Sequence, residues 1–144
     1  MNRPEWNEYF INLADLVSSR SPDPVTKHGS IIVDSSNKII STGYNGFPPN
    51  GPDLELPITR PEKYDFIIHA EMNAILSARC DLRGCSMYIT GVPCKNCLKH
   101  IVAVGIKKLF LGDRIFSSHE EEKELRERFF SIWGISVHYL KNKK

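Results

Sequence analysis

His69 and Glu71 stand two residues apart in "HAEMNAIL", at the opening of an otherwise apolar stretch. Met72, Ala74, Ile75, Leu76 and Ala78 have the composition of a helix buried over much of its surface. Ionisable groups are costly in such a setting unless they are paired or bound to something. A second stretch, "VPCKNCLKH" (residues 92–100), follows a strand-like segment. Pro93 can open a helix there, which puts Cys94 and Cys97 in its first turn. At i and i+3 the two thiols share one face. Unpaired backbone N–H groups and the positive end of the helix dipole lower thiol pKa values at such a position. Two thiolates side by side suit a Zn²⁺ ion.

Each stretch alone has other readings. His69 and Glu71 could be solvated first-turn residues, and a Cys-x-x-Cys at a helix start after a strand could be a redox pair. A Cys-x-x-Cys-x-x-His site using His100 is geometrically poor, because six residues along a helix rotate His100 about 240° from Cys94. Inert buried thiols are the simplest reading of Cys80 and Cys85.

Together the two stretches say more. His69, Cys94 and Cys97 supply one nitrogen and two sulfurs, which leaves a fourth position open, as in catalytic rather than structural zinc. Such an ion, formally neutralised by two thiolates, still lowers the pKa of its water toward neutrality. On a regular helix Glu71 lies about 200° from His69 and makes a poor second ligand. With His69 at an irregular first position, Glu71 can instead reach that water, take a proton from it and hand it to a leaving amine. Between His69 and Pro93 there is room for a helix, a turn and a strand, and a β-α-β arrangement brings both helix N-termini to one sheet edge.

The elements that would position these groups follow from apolar spacing. Residues 4–19 read as an amphipathic helix, with Trp6, Tyr9, Phe10, Leu13, Leu16 and Val17 recurring every three to four positions. The prolines of "RSPDP" stop it. "GSIIVD" and "KIISTGYN", joined by "SSN", predict a β-hairpin. Residues 43–61 form a Gly- and Pro-rich loop, long enough to imply a functional role. "SMYIT", "KKLFL" and "ISVHYL" read as strands and "CKNCLKHIVAV" as a helix. Residues 119–133 read as a helix with Leu125, Phe129, Ile132 and Trp133 at core spacing. Glu122–Arg126 and Glu124–Arg128 sit at i,i+4 spacing on its wet side. Gly134 ends it. The order α-β-β-α-β-α-β-α-β implies an α/β fold, a mixed five-stranded sheet with helices on both faces, in one domain over residues 1–144.

The bulk numbers agree with one small globular domain. The 144 residues are 41% apolar and 25% charged, so disordered and fibrous classes drop out. A formal net charge of +2 is too balanced to signal nucleic-acid binding. The closing Lys141, Lys143 and Lys144 read as a solvated, frayed end. No apolar run reaches membrane-spanning length and "MNRPEWNEYF" has no signal-peptide core, so a cytoplasmic location is expected. There the four cysteines are ligands or buried thiols rather than disulfides.

H-x-E with P-C-x-x-C is the established signature of zinc-dependent nucleobase deaminases. The chain resembles the deoxycytidylate (dCMP) deaminase family over nearly its whole length. "PEWNEYF", "RSPDP", "STGYNGFPPNG", "HAEMNAI", "MYIT", "PCKNC" and "GIKKL" fall in that family's order and spacing. The histidine of H-A-E separates it from the free cytidine deaminases, which carry cysteine there. The resemblance implies a three-layer α-β-α cytidine-deaminase-like fold and hydrolysis of dCMP to dUMP and ammonia, feeding dTTP synthesis. It implies Glu71 as proton shuttle, with His69, Cys94 and Cys97 on zinc. Asn45 would contact the sugar, and the backbone at Ala70 and around Val92 and Pro93 would read the cytosine edge. Gly43, Tyr44 and Gly46 lie where an effector would dock. A homo-oligomer, hexamer or dimer, activated by dCTP with Mg²⁺ and inhibited by dTTP, is implied too.

The sequence departs from the family pattern at Ile115, where tyrosine is usual near the phosphate, at Pro22, where lysine is common, and at His28, which replaces a valine. The loop before H-A-E is also shorter than in many members. Two other substrate readings go with the same motif: a C5-modified dCMP, hinted at by Ser77 and Ile115, and a tRNA adenosine. The latter requires a basic, aromatic-lined RNA path that +2 does not favour. A non-enzymatic zinc module would need a fourth protein ligand, and none is well placed.

Overall fold

The alternating strand segments are realised as a five-stranded sheet in the computed structural model, which describes residues 2–114 and 120–141. Helix α1 (Trp6–Ser18) leads into the hairpin β1 (Gly29–Val33) and β2 (Ile39–Tyr44). A long connection with two short 3-10 turns, Asp53–Glu55 and Glu62–Asp65, reaches α2 (Ala70–Ser77). Then follow β3 (Ser86–Ile89), α3 (Lys95–Ala103), β4 (Lys108–Leu111), α4 (Lys123–Trp133) and β5 (Ser136–Tyr139). The sheet order is β2-β1-β3-β4-β5. β1 runs antiparallel to β2 and β3, whereas β3, β4 and β5 are parallel. The expected mixed sheet is therefore present. Among the described residues no helix is long and apolar enough to cross a membrane.

Period-two alternation divides the strands between two cores. Ile32, Met87, Ile89, Leu109 and Leu111 join Ala74, Leu98 and Ile101 on the side of α2 and α3. Ile31, Val33, Tyr88 and Phe110 join Phe10 and Ala14 of α1 on the other side. This gives three layers, with helices covering both faces.

Two amphipathic readings are corrected. In α1 the buried face runs through Phe10, Ile11 and Ala14, while Trp6, Tyr9 and Leu16 are exposed. The reason is steric: a Cβ on Gly29 would lie 2.0 Å from the Ala14 carbonyl oxygen. A small residue opposite an alanine lets helix and strand approach closely, and this sets the helix rotation ahead of the larger apolar groups. In α4, Leu125, Ile132 and Trp133 are exposed and Arg126 is buried, with Phe129 and Phe130 turned to the core. Leu76 of α2 is likewise 58% exposed. Glu122 is also more than a wet-side residue, because its carboxylate accepts the Lys95 N–H at 2.9 Å, at the start of α3. The expected start of the last helix at 119, and Ile115, Lys143 and Lys144, lie outside the described residues.

Candidate active site

A short connection returns the chain from α2 into β3, so α2 runs against β3 and its N-terminus lies at the strand's C-terminal end. α3 begins from that same end. The two helix N-termini thus meet at one sheet edge, as the spacing of the motifs requires. Gly43 of β2 permits the seat of α2: a Cβ there would lie 2.4 Å from both the Ala70 oxygen and the Ala74 nitrogen.

His69 is the residue just outside α2, with φ −64° and ψ 155°. That extended conformation frees it from the helical rotation that would separate it from Glu71. Cys94 occupies the equivalent place on α3, with φ −71° and ψ 166°, and its Sγ accepts the Cys97 N–H at 3.5 Å. His69 Nδ1 lies 3.4 Å from Cys94 Sγ and 3.4 Å from Cys97 Sγ. All three donor atoms fall within 4.8 Å of one another, and among the described residues the cluster has three members.

These distances fit zinc. With Zn–N about 2.0–2.1 Å and Zn–S about 2.3 Å, tetrahedral angles separate nitrogen from sulfur by about 3.5 Å. His69, Cys94 and Cys97 would hold the ion and leave one position for a reactant. The electrostatics favour anionic sulfur at Cys94. Cys94 is brought down to about 3 by the hydrogen bond from the Cys97 thiol, helped by the His69 ring and the Cys97 N–H, against burial that pushes it up. Cys97 is raised by that same bond and by burial. His69 is raised, chiefly by its hydrogen bond to Cys94. Glu71 is 5% exposed, and burial pushes its carboxyl up.

His69, Ala70, Glu71 and Cys94 open into a cavity of about 230 Å³ that Val92 and Asn45 also line. Pro93 is buried and is not part of the lining. Asn45 spends its amide on the backbone: Oδ1 accepts the His28 N–H and Nδ2 donates to the Thr26 oxygen, both at 2.8 Å. Gly43, Tyr44 and Gly46 do not line the cavity. Gly46 bridges to Ile68, and the Tyr44 carbonyl accepts from Asn73, so this segment braces the approach to α2.

The rest of the lining was not legible as a motif. It includes Asp23, Thr26, His28, Arg60, Lys63 and Tyr64. Lys63 and Asp23, both buried, form an ion pair at 2.5 Å. Burial alone would raise Asp23, but Lys63 and the Thr26 and Val25 amides outweigh it, so its carboxyl sits below the ordinary value. His28 contacts the Thr90 hydroxyl through Nδ1 at 3.1 Å and is pushed down to about 4, mainly by burial and then by His69. It is therefore a neutral imidazole. Cations at 60 and 63, just ahead of His69, were the available signal, but only the fold shows that Lys63 is buried and that the exposed Arg60 lines the cavity.

The three-layer fold, the one-imidazole, two-thiolate cluster and the buried glutamate beside it define a zinc-dependent deaminase. Residues 4–113 match the family described as the cytidine and deoxycytidylate deaminase zinc-binding region. This chain belongs to that family. It is 43% identical over 140 residues to human deoxycytidylate deaminase, covering 92% of this chain and 78% of that one. The dCMP deaminase of cyanophage S-TIM5, solved in complex with dCMP and dUMP, superposes with a TM-score of 0.75 at 26% identity. That match covers 97% of this chain and all of the phage enzyme. A tRNA:A34 deaminase superposes with a TM-score of 0.63 at 18% identity over 92% of this chain and 97% of that one, which is a likeness of fold alone.

Proposed function

We propose that this protein hydrolyses dCMP to dUMP and ammonia. The observation that carries the reading is a buried carboxyl, Glu71, in one cavity with Ala70 and with His69 and Cys94 of the three-residue donor cluster. Kinship with enzymes named for dCMP supports that substrate. When bound, zinc would supply Lewis acidity that activates water for attack at a ring carbon bearing an amine. Glu71 accepts one proton from the attacking water and passes it to the ring nitrogen, then takes the second from the newly added hydroxyl and passes it to the departing amine. Burial suits this exchange, because a carboxyl raised in pKa holds a proton more readily than an exposed one. The Ala70 N–H belongs to the first turn of α2, whose amides lack intrahelical acceptors, and it donates to the base carbonyl. Val92 bounds the base edge. Asn45 orders the 26–28 segment and faces the sugar.

Ammonia release from dCMP, from an adenosine-containing RNA stem-loop and from a no-substrate control tests the reading. Release from dCMP alone is expected; release from the stem-loop alone overturns it. The wider reading is a cytoplasmic homo-oligomer of this single domain, raised in activity by dCTP with Mg²⁺ and lowered by dTTP. The segment Gly43, Tyr44 and Gly46, lying outside the cavity at the sheet's edge strand, supports an effector contact separate from chemistry. Solution sizing together with rates at fixed dCMP tests both: a monomer indifferent to dCTP and dTTP removes them.

A further inference from the structure

A monophosphate brings a dianion into a cavity that already holds two carboxylates, Glu71 and Asp23. Something must offset that charge, and the cations near the cavity differ sharply in how they are engaged. Lys63 is buried and committed to Asp23. The pair sums to zero, which removes Asp23 as a source of repulsion and Lys63 as a source of attraction. Lys27 Nζ donates to the Ser21 oxygen at 2.5 Å. Arg114 donates to Ser18 Oγ and the Lys27 oxygen and pairs with Asp15, on the α1 side. His28 is uncharged. Arg60 lines the cavity, is exposed, and among the described residues has no hydrogen bond or ion pair. Thr26 and Tyr64, which carry hydroxyls, line the same cavity.

We propose that Arg60 is the phosphate anchor of this site, the residue that makes it prefer a nucleoside monophosphate to the nucleoside. This rests on the dCMP reading. An arginine presents paired N–H donors that match two phosphate oxygens at once, and its charge does not titrate. It lines the same cavity as Glu71, His69 and Cys94 while remaining exposed to solvent, which offers a cation to a nucleotide whose base faces Glu71. Its long exposed side chain remains hydrated in the free protein, so no buried charge is left unpaired before substrate arrives.

The test is equilibrium binding of dUMP and of deoxyuridine to the zinc-loaded wild type, Arg60→Ala and Arg60→Lys, with dCMP turnover of the wild type alongside. Arg60→Ala is expected to weaken dUMP by about 10- to 100-fold, the range of a lost charge-assisted hydrogen bond, while deoxyuridine changes little. Arg60→Lys recovers part of the loss, because charge returns without the paired geometry. Where deoxyuridine binds too weakly to measure, the salt dependence of dUMP binding decides: it flattens in Arg60→Ala. An equal loss on both ligands, or an unchanged salt dependence, overturns the role of Arg60 and leaves the substrate intact. A zinc-loaded wild type that neither turns over dCMP nor prefers dUMP overturns the substrate reading, and this assignment with it.

Discussion

On one side of the cavity His69, Glu71, Cys94 and Cys97 project from the first turns of two helices seated on the sheet. Arg60, Lys63 and Tyr64, which also line it, come from the long connection between β2 and α2, which the buried Lys63 ion pair ties to Asp23. The donor atoms of the first wall must agree to within tenths of an ångström, and regular elements with shared strand ends provide that. The second wall needs only to present charge and hydroxyls at the right depth, which a loop can do. On the proposed reading, reaction and recognition are carried by parts with different sources of rigidity, and each is open to separate attack.

The deepest break is expected in the helix wall. Cys94→Ala or His69→Ala removes a donor from a three-member cluster, so zinc should fall from about one per chain to near none. Activity should be lost with it, and metal analysis beside rate measurement checks this. Active protein free of zinc contradicts it. Glu71→Gln should keep the metal and the shape of the wall but lose the proton acceptor. Turnover then falls by about 10²–10⁴-fold with zinc content unchanged. Normal turnover in that variant means another group moves the proton.

The loop wall should fail in stability first. Asp23→Asn strands the Lys63 ammonium in a buried place, at a cost of about 3–5 kcal/mol, read as a lowered Tm. The sign of the pH dependence follows from the depressed Asp23 carboxyl. Its stabilisation is fully present above the unfolded value near 3.8 and is lost as pH falls through the lower folded one. Wild type should therefore show an acid limb in Tm below about pH 4 that Asp23→Asn reduces. Identical limbs in the two proteins separate the ion pair from acid stability.

A smaller effect joins the two walls. Gly43→Ala puts a methyl against the α2 backbone at Ala70 and Ala74. About 1–3 kcal/mol of overpacking is expected. Because α2 carries Glu71 and follows directly on His69, kcat should fall as well as Tm. A Tm loss with kcat intact would show that the helix start tolerates displacement.

Much of the first wall could be read in advance, since the motif dictates it. The irregular position required for His69 is what the backbone adopts, and Cys94 repeats it on α3. Strand and helix order followed from apolar periodicity, because burial of one face leaves a repeating pattern. The errors fell where helix meets sheet through small residues. Gly29 against Ala14 sets the rotation of α1, and no stripe of large apolar groups reports it. Arg126 was buried for a comparable reason: hydropathy marks it as solvent-facing, whereas α4 is placed by Phe129 and Phe130.

The sequence by itself pointed to the zinc-binding deaminase family and to the cluster of His69, Cys94 and Cys97, because ligand type and local spacing leave few other uses for those residues. Tertiary structure alone decided the second wall. Asp23, Asn45 and Lys63 are far apart in the chain, and only folding shows that Asn45 holds the 26–28 backbone and that Lys63 is spent on Asp23. Recognition by long-range pairs has no period and no fixed spacing. Which cation remains for a phosphate is settled by which of the others the fold has already engaged.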